Sequence, residues 1–254
     1  MSVQLDGRLR QLRLSGMAEA LPGRLQQATG GSLPHRDFLE LLVDDELARR
    51  SDRLFSRRVK EAGLTEVKEF SDFDWSFNPK LPRGRLLDLA TGRFIAERRG
   101  VLLIGPPGVG KSHAVAAITV GVIRAGYRAL VKNTFDLAQD FAEAEATGER
   151  RVLVDQLVRV DLLVLEDFGM RKLGPSGAED LLEVFLRRHE KTSTVITTNR
   201  PTEDWGQFLG DVPATTAILD RFLEHAEILT MTGKSYRMRR RANAGASSEA
   251  GVKE

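Results

Sequence analysis

Apolar residues recur at two spacings along the chain, and the change from one to the other divides it. Near the start, Leu5, Leu9 and Leu12 fall at helical spacing. Ser15-Gly16 breaks that run, a second short helix follows, and Thr29-Gly30-Gly31-Ser32-Leu33-Pro34 punctuates the chain. A long amphipathic helix is predicted from about His35 to Ala62, with Phe38, Leu39, Leu42, Val43, Leu47, Leu54 and Val59 along one side. Toward its end come Arg49, Arg50, Arg53, Arg57, Arg58 and Lys60, diluted by Asp44, Asp45, Glu46 and Asp52. Those cations suit a solvated face and the helix macrodipole, and equally a surface for DNA or a protein partner. Both readings stand at this level.

Phe70 to Gly84 reads as an extended aromatic connector, because Pro79 and Pro82 forbid a regular helix there. Beyond it the period alternates. Val101–Ile104 is a short apolar strand, followed by a helix to about Ala125; Arg128–Val131 is a second strand. Helices are predicted over Phe135–Ala146, Arg150–Arg159 and Ala178–His189, with strands at Leu162–Leu165 and Thr194–Thr198. A short helix at Ile218–Leu223 and a last strand at Glu227–Met231 complete the series. Strands alternating with helices predict an α/β fold, a parallel sheet covered on both faces, preceded by a small all-α domain.

Composition narrows the classes. A chain of 254 residues, 41% hydrophobic and 29% charged, has enough apolar content to fold without staples. With no cysteine, disulfides and thiolate metal sites are excluded, and four scattered histidines argue against zinc. The net charge of +2 does not by itself announce a nucleic-acid binder, and the pI of about 9.0 leans that way only mildly. The opening Met1-Ser2-Val3-Gln4-Leu5-Asp6-Gly7-Arg8 has no apolar signal core, and the longest uncharged stretch, Ser112 to Ile123, is too short to span a bilayer. A cytoplasmic protein with no membrane partner is expected. The expected organisation is a helical domain over 1–68, an α/β domain over 69–241 with its connector at 69–84, and a disordered tail over 242–254.

The chemistry begins at Gly105-Pro106-Pro107-Gly108-Val109-Gly110-Lys111-Ser112, which with His113 forms the expected ATP-binding segment. The pattern G-x-x-x-x-G-K-[ST] needs its glycines so that backbone N–H groups can turn inward around phosphate oxygens. The helix that follows points its positive end at the same anion. Lys111 supplies a charge to the β- and γ-phosphates, and the Ser112 hydroxyl ligates Mg²⁺. Leu162-Leu163-Val164-Leu165-Glu166-Asp167 ends a buried strand in two acids: one holds Mg²⁺ directly or through water, the other polarises the attacking water. Thr197-Thr198-Asn199 ends another strand in an amide that senses the γ-phosphate, or else forms a turn before Arg200-Pro201. Arg221, on a short helix, suits a donated cation for a neighbour's nucleotide; taken alone, a surface arginine is the simpler reading.

Together these segments resemble the AAA+ ATPases of the DnaC clade and, within it, the IstB-like helper ATPases of bacterial insertion sequences. The resemblance covers nearly the whole chain. It runs through Leu12-Arg13-Leu14-Ser15-Gly16-Met17, Phe73-Asp74-Trp75-Ser76-Phe77-Asn78-Pro79, Glu166-Asp167-Phe168-Gly169 and Thr198-Asn199-Arg200-Pro201. It continues in Gly210-Asp211-Val212-Pro213-Ala214, Ile218-Leu219-Asp220-Arg221-Phe222, His225-Ala226-Glu227 and Gly233-Lys234-Ser235-Tyr236-Arg237. The resemblance implies that Lys111 and Ser112 are Walker A residues, Glu166 and Asp167 the Walker B pair, and Asn199 sensor 1. It further implies Arg221 as an arginine finger acting across a subunit interface and Arg237 at the sensor 2 position. One departure stands out: the family pair is Asp then Glu, and here the order is reversed, which leaves open which acid polarises water.

The resemblance also implies an ATPase with ATP and Mg²⁺ as cofactors that forms a homo-oligomer on double-stranded DNA. Its other partner would be a cognate transposase of IstA type, which it assists in target selection and stimulates, in the bacterial cytoplasm on DNA. Lys132, Arg171 and Lys172 lie after strands, where loops of AAA+ rings can face the central channel; they are the candidate DNA contacts. The alternative is a DnaC-like loader of a replicative helicase. A small-molecule P-loop kinase is a third class, but it needs an acceptor pocket and a lid for which the chain offers no sequence.

Overall fold

The computed structural model describes residues 3–31, 33–173 and 176–238. The expected tail from Ala242, and Ser32 within the first linker, lie outside the described residues. The chain divides into two compact units, one up to Arg58 and the other from Val59. The division falls inside a helix, before the boundary expected at 68. Val59 and Ala62 are buried, and the Ala62 carbonyl accepts the Val131 amide at 2.8 Å, so this stretch belongs to the second unit.

The first unit is α1 (Val3–Gln11), α2 (Ser15–Gly30) and most of α3 (His35–Glu61). Gly16 lets α2 press on α3, since a Cβ there would lie 2.7 Å from Glu46 Cα. No side chain caps the start of α2 locally. Instead the buried Glu46 carboxylate accepts the Gly16 and Met17 amides at 2.6 and 3.2 Å and Arg50 Nε at 2.7 Å. Arg24 forks onto Asp45 at 2.8 and 2.9 Å, Arg53 donates to Ser15 Oγ at 2.8 Å, and Arg49 pairs with Glu19. Arg49, Arg50 and Arg53 therefore fasten α3 to the turn and helix beside it. Of the apolar side predicted for α3, Leu42 and Val59 are buried while Leu39, Val43, Leu47 and Leu54 stay exposed.

In the second unit the connector holds a single 3₁₀ turn at Phe70–Asp72, and its prolines stop where helix resumes. Pro82 stands at the N-cap of α4 (Arg83–Leu89), which is followed by α5 (Arg93–Ala96); the sequence pattern does not reveal this pair. Then come β1 (Gly100–Ile104), α6 (Lys111–Arg124), β2 (Ala129–Asn133), α7 (Thr134–Thr147), α8 (Arg150–Arg159) and β3 (Leu162–Glu166). They are followed by α9 (Gly177–Arg188), β4 (Ser193–Thr198), α10 (Trp205–Leu209), α11 (Val212–Leu223) and β5 (Ala226–Thr230). The predicted elements are all present. The helix expected at Ile218–Leu223 is longer, because Asp211 caps it by accepting the Ala214 amide at 2.9 Å and Pro213 fits its first turn.

The sheet is parallel throughout, in the order β2-β3-β4-β1-β5. Leu163, Leu165, Ile196 and Leu102 join one core with α7, α8, α9 and α11. The alternate residues Leu162, Val164, Val195, Val101 and Leu103 are equally buried and lie toward the other face, where α6 packs across the strands. Burial on both faces explains the unbroken apolar run Leu162–Leu165. The registers Leu165↔Ile196 and Ile104↔Thr198 hold the ends of β3, β4 and β1 level.

Arg188 is an unforeseen part of this core. It is buried, and its guanidinium donates to the carbonyls of Leu157, Val158 and Val160 at 2.9, 3.2 and 2.9 Å, to Thr194 Oγ1 at 3.1 Å and to the Ser193 carbonyl. Burial pushes it down to about 9. One side chain thus satisfies the chain leaving α8 and ties it to β4.

Burial pushes the Glu46 carboxyl up, but the bonds from Arg50, Met17 and Gly16 outweigh it and hold the group below its ordinary value. Its contribution is then complete above the ordinary carboxylate range and is lost as pH falls through the lowered value. Glu46→Gln should speed hydrogen exchange of the Gly16 and Met17 amides at neutral pH, and the difference from the parent chain should vanish in acid. Equal exchange in the two proteins at neutral pH would show that Glu46 does not cap α2.

Candidate nucleotide-binding site

β1 ends at Ile104 and α6 starts at Lys111, and the loop between them depends on glycine. Gly108 and Gly110 have φ of +82° and +109°, a region that side chains disfavour. Gly105 is needed for space: a Cβ there would sit 2.0 Å from the Met231 carbonyl oxygen just beyond β5. Gly110 also caps α6, whose first amides lack intrahelical acceptors and point back at the loop. Lys111 is buried, and its Nζ donates to the Gly105 and Pro106 carbonyls at 2.7 and 3.1 Å. Burial pulls its pKa below the ordinary lysine value; Asp167 opposes that fall and Arg237 adds to it.

β3 delivers the two acids to the same edge. Ser112 opens α6 beside Lys111, and Glu166 closes β3. Burial raises the Glu166 pKa, the Ser112 hydroxyl opposes the rise, the Asp167 charge adds to it and Lys68 opposes it. Asp167 follows in the left-handed region, at φ +52°. β4 delivers Asn199, whose Oδ1 is buried with no hydrogen-bond partner among the described residues. An amide oxygen in that state costs roughly 1–3 kcal/mol, which marks it as poised for a group that enters the cleft.

Gly108, Lys111, Ser112, His113, Asp167 and Asn199 line one open cleft of about 460 Å³. Arg237 and Tyr236 line it as well, and the Tyr236 amide donates to the Gly108 carbonyl at 2.9 Å. Glu66, Lys68, Phe135 and Met170 complete it. Sequence reasoning missed those four. Glu66 and Lys68 were assigned to the helical domain, and no spacing rule links Phe135 or Met170 to a phosphate loop.

The connector has a structural task here. Phe73 packs 5.0 Å, edge-on, from His113 and lies against Gly110, where a Cβ would come 2.9 Å from its ring. His113 Nε2 is 3.1 Å from the Glu69 carbonyl. Asn78 is buried and clasps Lys234, accepting its amide at 2.9 Å and donating to its carbonyl at 3.1 Å. The Phe73–Pro79 segment thus braces both the phosphate loop and the strand-end chain that carries Tyr236 and Arg237.

Other expected residues lie elsewhere. Arg221 is half-exposed, pairs with Asp220, and lines a small recess of about 30 Å³ with Arg98, Gly100, Thr192 and His225. Those residues open or precede β1, β4 and β5, so Arg221 sits at the end of the strands opposite its own phosphate loop. Lys132 lies within β2 rather than after it, mostly buried in a 2.5 Å ion pair with Asp140. Arg171 lies over the exposed Phe135 ring at 5.9 Å, and Lys172 is exposed.

For Mg²⁺, the Ser112 hydroxyl at the start of α6 and the Glu166 carboxylate at the end of β3 are the hard oxygen donors that ion takes, few in number, with phosphate and water left to fill the octahedron. No group of three or more His, Asp or Glu that could form a metal cage occurs among the described residues. Nor is any described helix long and apolar enough to cross a membrane.

A parallel sheet with β4 between β1 and β3, a glycine loop opening α6 and acids at the end of β3 define a P-loop nucleotide-binding protein of the AAA+ type. The chain belongs to the IstB-like ATP-binding protein family, whose model matches residues 7–244. It is 34% identical over 238 residues to an insertion-sequence ATP-binding protein named from Mycobacterium tuberculosis, covering 93% of this chain and 95% of that one. It is 32% identical over 242 residues to one named for insertion sequence IS21 from Pseudomonas aeruginosa, covering 95% and 91%. Among solved structures it is similar in fold to DnaI, with TM-score 0.53 and 23% identity over 66% of this chain and 89% of that one. It is also similar in fold to AMPPCP-bound DnaA from Aquifex aeolicus, with TM-score 0.55 and 16% identity over 66% and 51%.

Lys111→Ala removes the buried cation of the loop and should weaken ATP binding roughly ten- to hundredfold, the worth of one charge-assisted contact. Calorimetric titration of the full chain with ATP and with the β,γ-methylene analogue measures it. Unchanged affinity would mean that the triphosphate does not occupy this loop.

Proposed function

We propose that this protein is a Mg²⁺-dependent ATPase that assembles as a homo-oligomer on double-stranded DNA and assists a transposase, of IstA type, in choosing a target and in reacting. The observation that carries the reading is the separation of the parts. The cleft holds Lys111, Ser112, Asp167 and Asn199, while Arg221 lies at the far end of the strands. An arginine so placed serves a neighbour's ATP and not its own, which makes hydrolysis depend on assembly. Membership of an insertion-sequence family favours transposition over helicase loading, and a fold shared with DnaI does not separate the two. A DNA-associated place in the bacterial cytoplasm follows from the same reading.

In this reading the loop amides and Lys111 bind the β- and γ-phosphates. Ser112 and Glu166, directly or through water, would hold Mg²⁺, which neutralises charge across the phosphates. Asp167 polarises the attacking water, Asn199 fixes it against the γ-phosphate, and Arg237 reaches the phosphates from the other wall as sensor 2. Asp167→Asn should bind ATP normally and hydrolyse it poorly, whereas Glu166→Gln should lose Mg²⁺-dependent binding. The opposite pattern would exchange the two roles.

Mixing variants tests the assembly. Arg221→Ala should bind ATP normally and lose DNA-stimulated hydrolysis by a factor on the order of 10³. Lys111→Ala keeps the finger and lacks a working site. Neither turns over alone; mixed on duplex DNA, they should regain part of the activity, because some interfaces pair an intact site with an intact finger. Co-assembly without recovery would place Arg221 outside catalysis in trans.

The DNA contacts are narrowed by geometry. With Lys132 held by Asp140, the exposed Arg171 and Lys172 are the candidates for phosphate contact. Arg171→Glu with Lys172→Glu should lower duplex affinity and reduce the slope of log K against log salt by about 2. An unaltered slope would remove both residues from the interface.

A further inference from the structure

The regular register between β3 and β4 runs to Leu165↔Ile196, although β4 continues beside β1 to Thr198. Glu166 keeps its register with Asn133 of β2, and the next residues, Asp167 and Phe168, turn out of the regular ladder just where the acids are presented. Asp167 does so at φ +52°. A left-handed conformation is disfavoured for a residue that carries a side chain. It persists only where the surroundings over-determine it.

Three buried threonines supply that over-determination. Thr134, Thr197 and Thr198 are 3%, 0% and 0% exposed. Thr197 Oγ1 accepts the Asp167 amide at 3.1 Å, and the Thr197 carbonyl accepts the Phe168 amide at 2.8 Å. Thr134 Oγ1 lies 3.1 and 3.0 Å from the Glu166 and Asp167 carbonyls and shares its one hydrogen between them. Thr198 Oγ1 donates to the Phe168 carbonyl at 2.7 Å and accepts the Arg200 amide at 3.1 Å. Glu166 O, both polar groups of the Asp167 backbone and both of Phe168 are thus held from β4 and the first residue of α7. Valine would fill the same space at each position, so the shape of the core does not require the hydroxyls.

We propose that Thr134, Thr197 and Thr198 form a hydroxyl clamp that positions Asp167 for hydrolysis and couples it to Asn199, the residue directly after Thr198. The three are positioning residues: none lines the cleft, and each acts through the acid turn. A shift of Asn199 toward a γ-phosphate passes to Thr198, and from there to the Phe168 carbonyl and the turn that carries Asp167. The clamp serves the ATPase reading given above and rests on it.

The test uses the full chain on duplex DNA, with turnover at saturating ATP and affinity for the β,γ-methylene analogue measured in parallel. Thr134→Val with Thr197→Val should lower kcat about 10- to 100-fold, the cost of an ångström-scale misplacement, with analogue affinity unchanged. Normal analogue affinity certifies a folded cleft. Thr134→Ser with Thr197→Ser keeps the hydroxyls and should restore most of the turnover. Added to Asp167→Asn, the valine pair should not lower residual turnover further, because a positioning residue has nothing to position once the acid is gone. Full turnover in the valine pair would overturn the clamp. So would a joint loss of affinity and turnover that serine does not rescue, or a full additional loss in the Asp167→Asn background. Absence of turnover in the parent chain would instead defeat the ATPase reading and the clamp with it.

Discussion

The pairing of β4 between β1 and β3 is the constraint from which the nucleotide cleft follows. Parallel strands in register end at one level, and each continues into a loop at the same edge of the sheet. β1 leads into the phosphate loop, β3 into Glu166 and Asp167, and β4 into Asn199. Burial on both faces makes a slip of register costly, since one residue of slip would exchange every side chain between two packed faces. The cleft is therefore as well defined as the core beneath it.

Around that edge, the remaining parts act as braces. Phe73 and His113 press the connector on the phosphate loop, and Asn78 clasps Lys234, so the chain bearing Tyr236 and Arg237 returns over Gly108. At the opposite edge, Arg188 gathers the carbonyls leaving α8 and ties them to β4. Arg221 sits near that second edge. A single subunit thus presents a phosphate loop at one end of its strands and a finger candidate at the other, a polarity that suits assembly of identical copies with each completing the next.

Much of the second unit is legible from periodicity, because β1 and β3 are short apolar runs and α6, α7 and α11 follow a glycine or a capping residue. The phosphate loop is legible because its glycines answer to local backbone geometry. What escapes are residues whose role comes from contacts distant in sequence. Lys68 and Phe135 reach the cleft from elements with no motif, and Arg188 looks like any cation in the last turn of a helix. The apolar side of α3 misleads for the same reason: helical spacing marks which residues share a face but not which of them find a partner.

The sequence by itself determined the strands and the long helices between them, the phosphate loop, the acids and amide at strand ends, and the family to which the chain belongs. These are local properties, set by side-chain period, by glycine's freedom and by short motifs. Only the tertiary structure decided that Asn199 keeps a buried oxygen with no partner among the described residues and that Lys132 is spent on Asp140. It also decided that Arg221 lies at the far end of the strands and that three threonine hydroxyls hold the acid turn. Each depends on which residues distant in the chain meet in space, and burial is what gives the threonine hydroxyls and Lys132 their fixed partners, because a polar group removed from water is costly to leave unpaired.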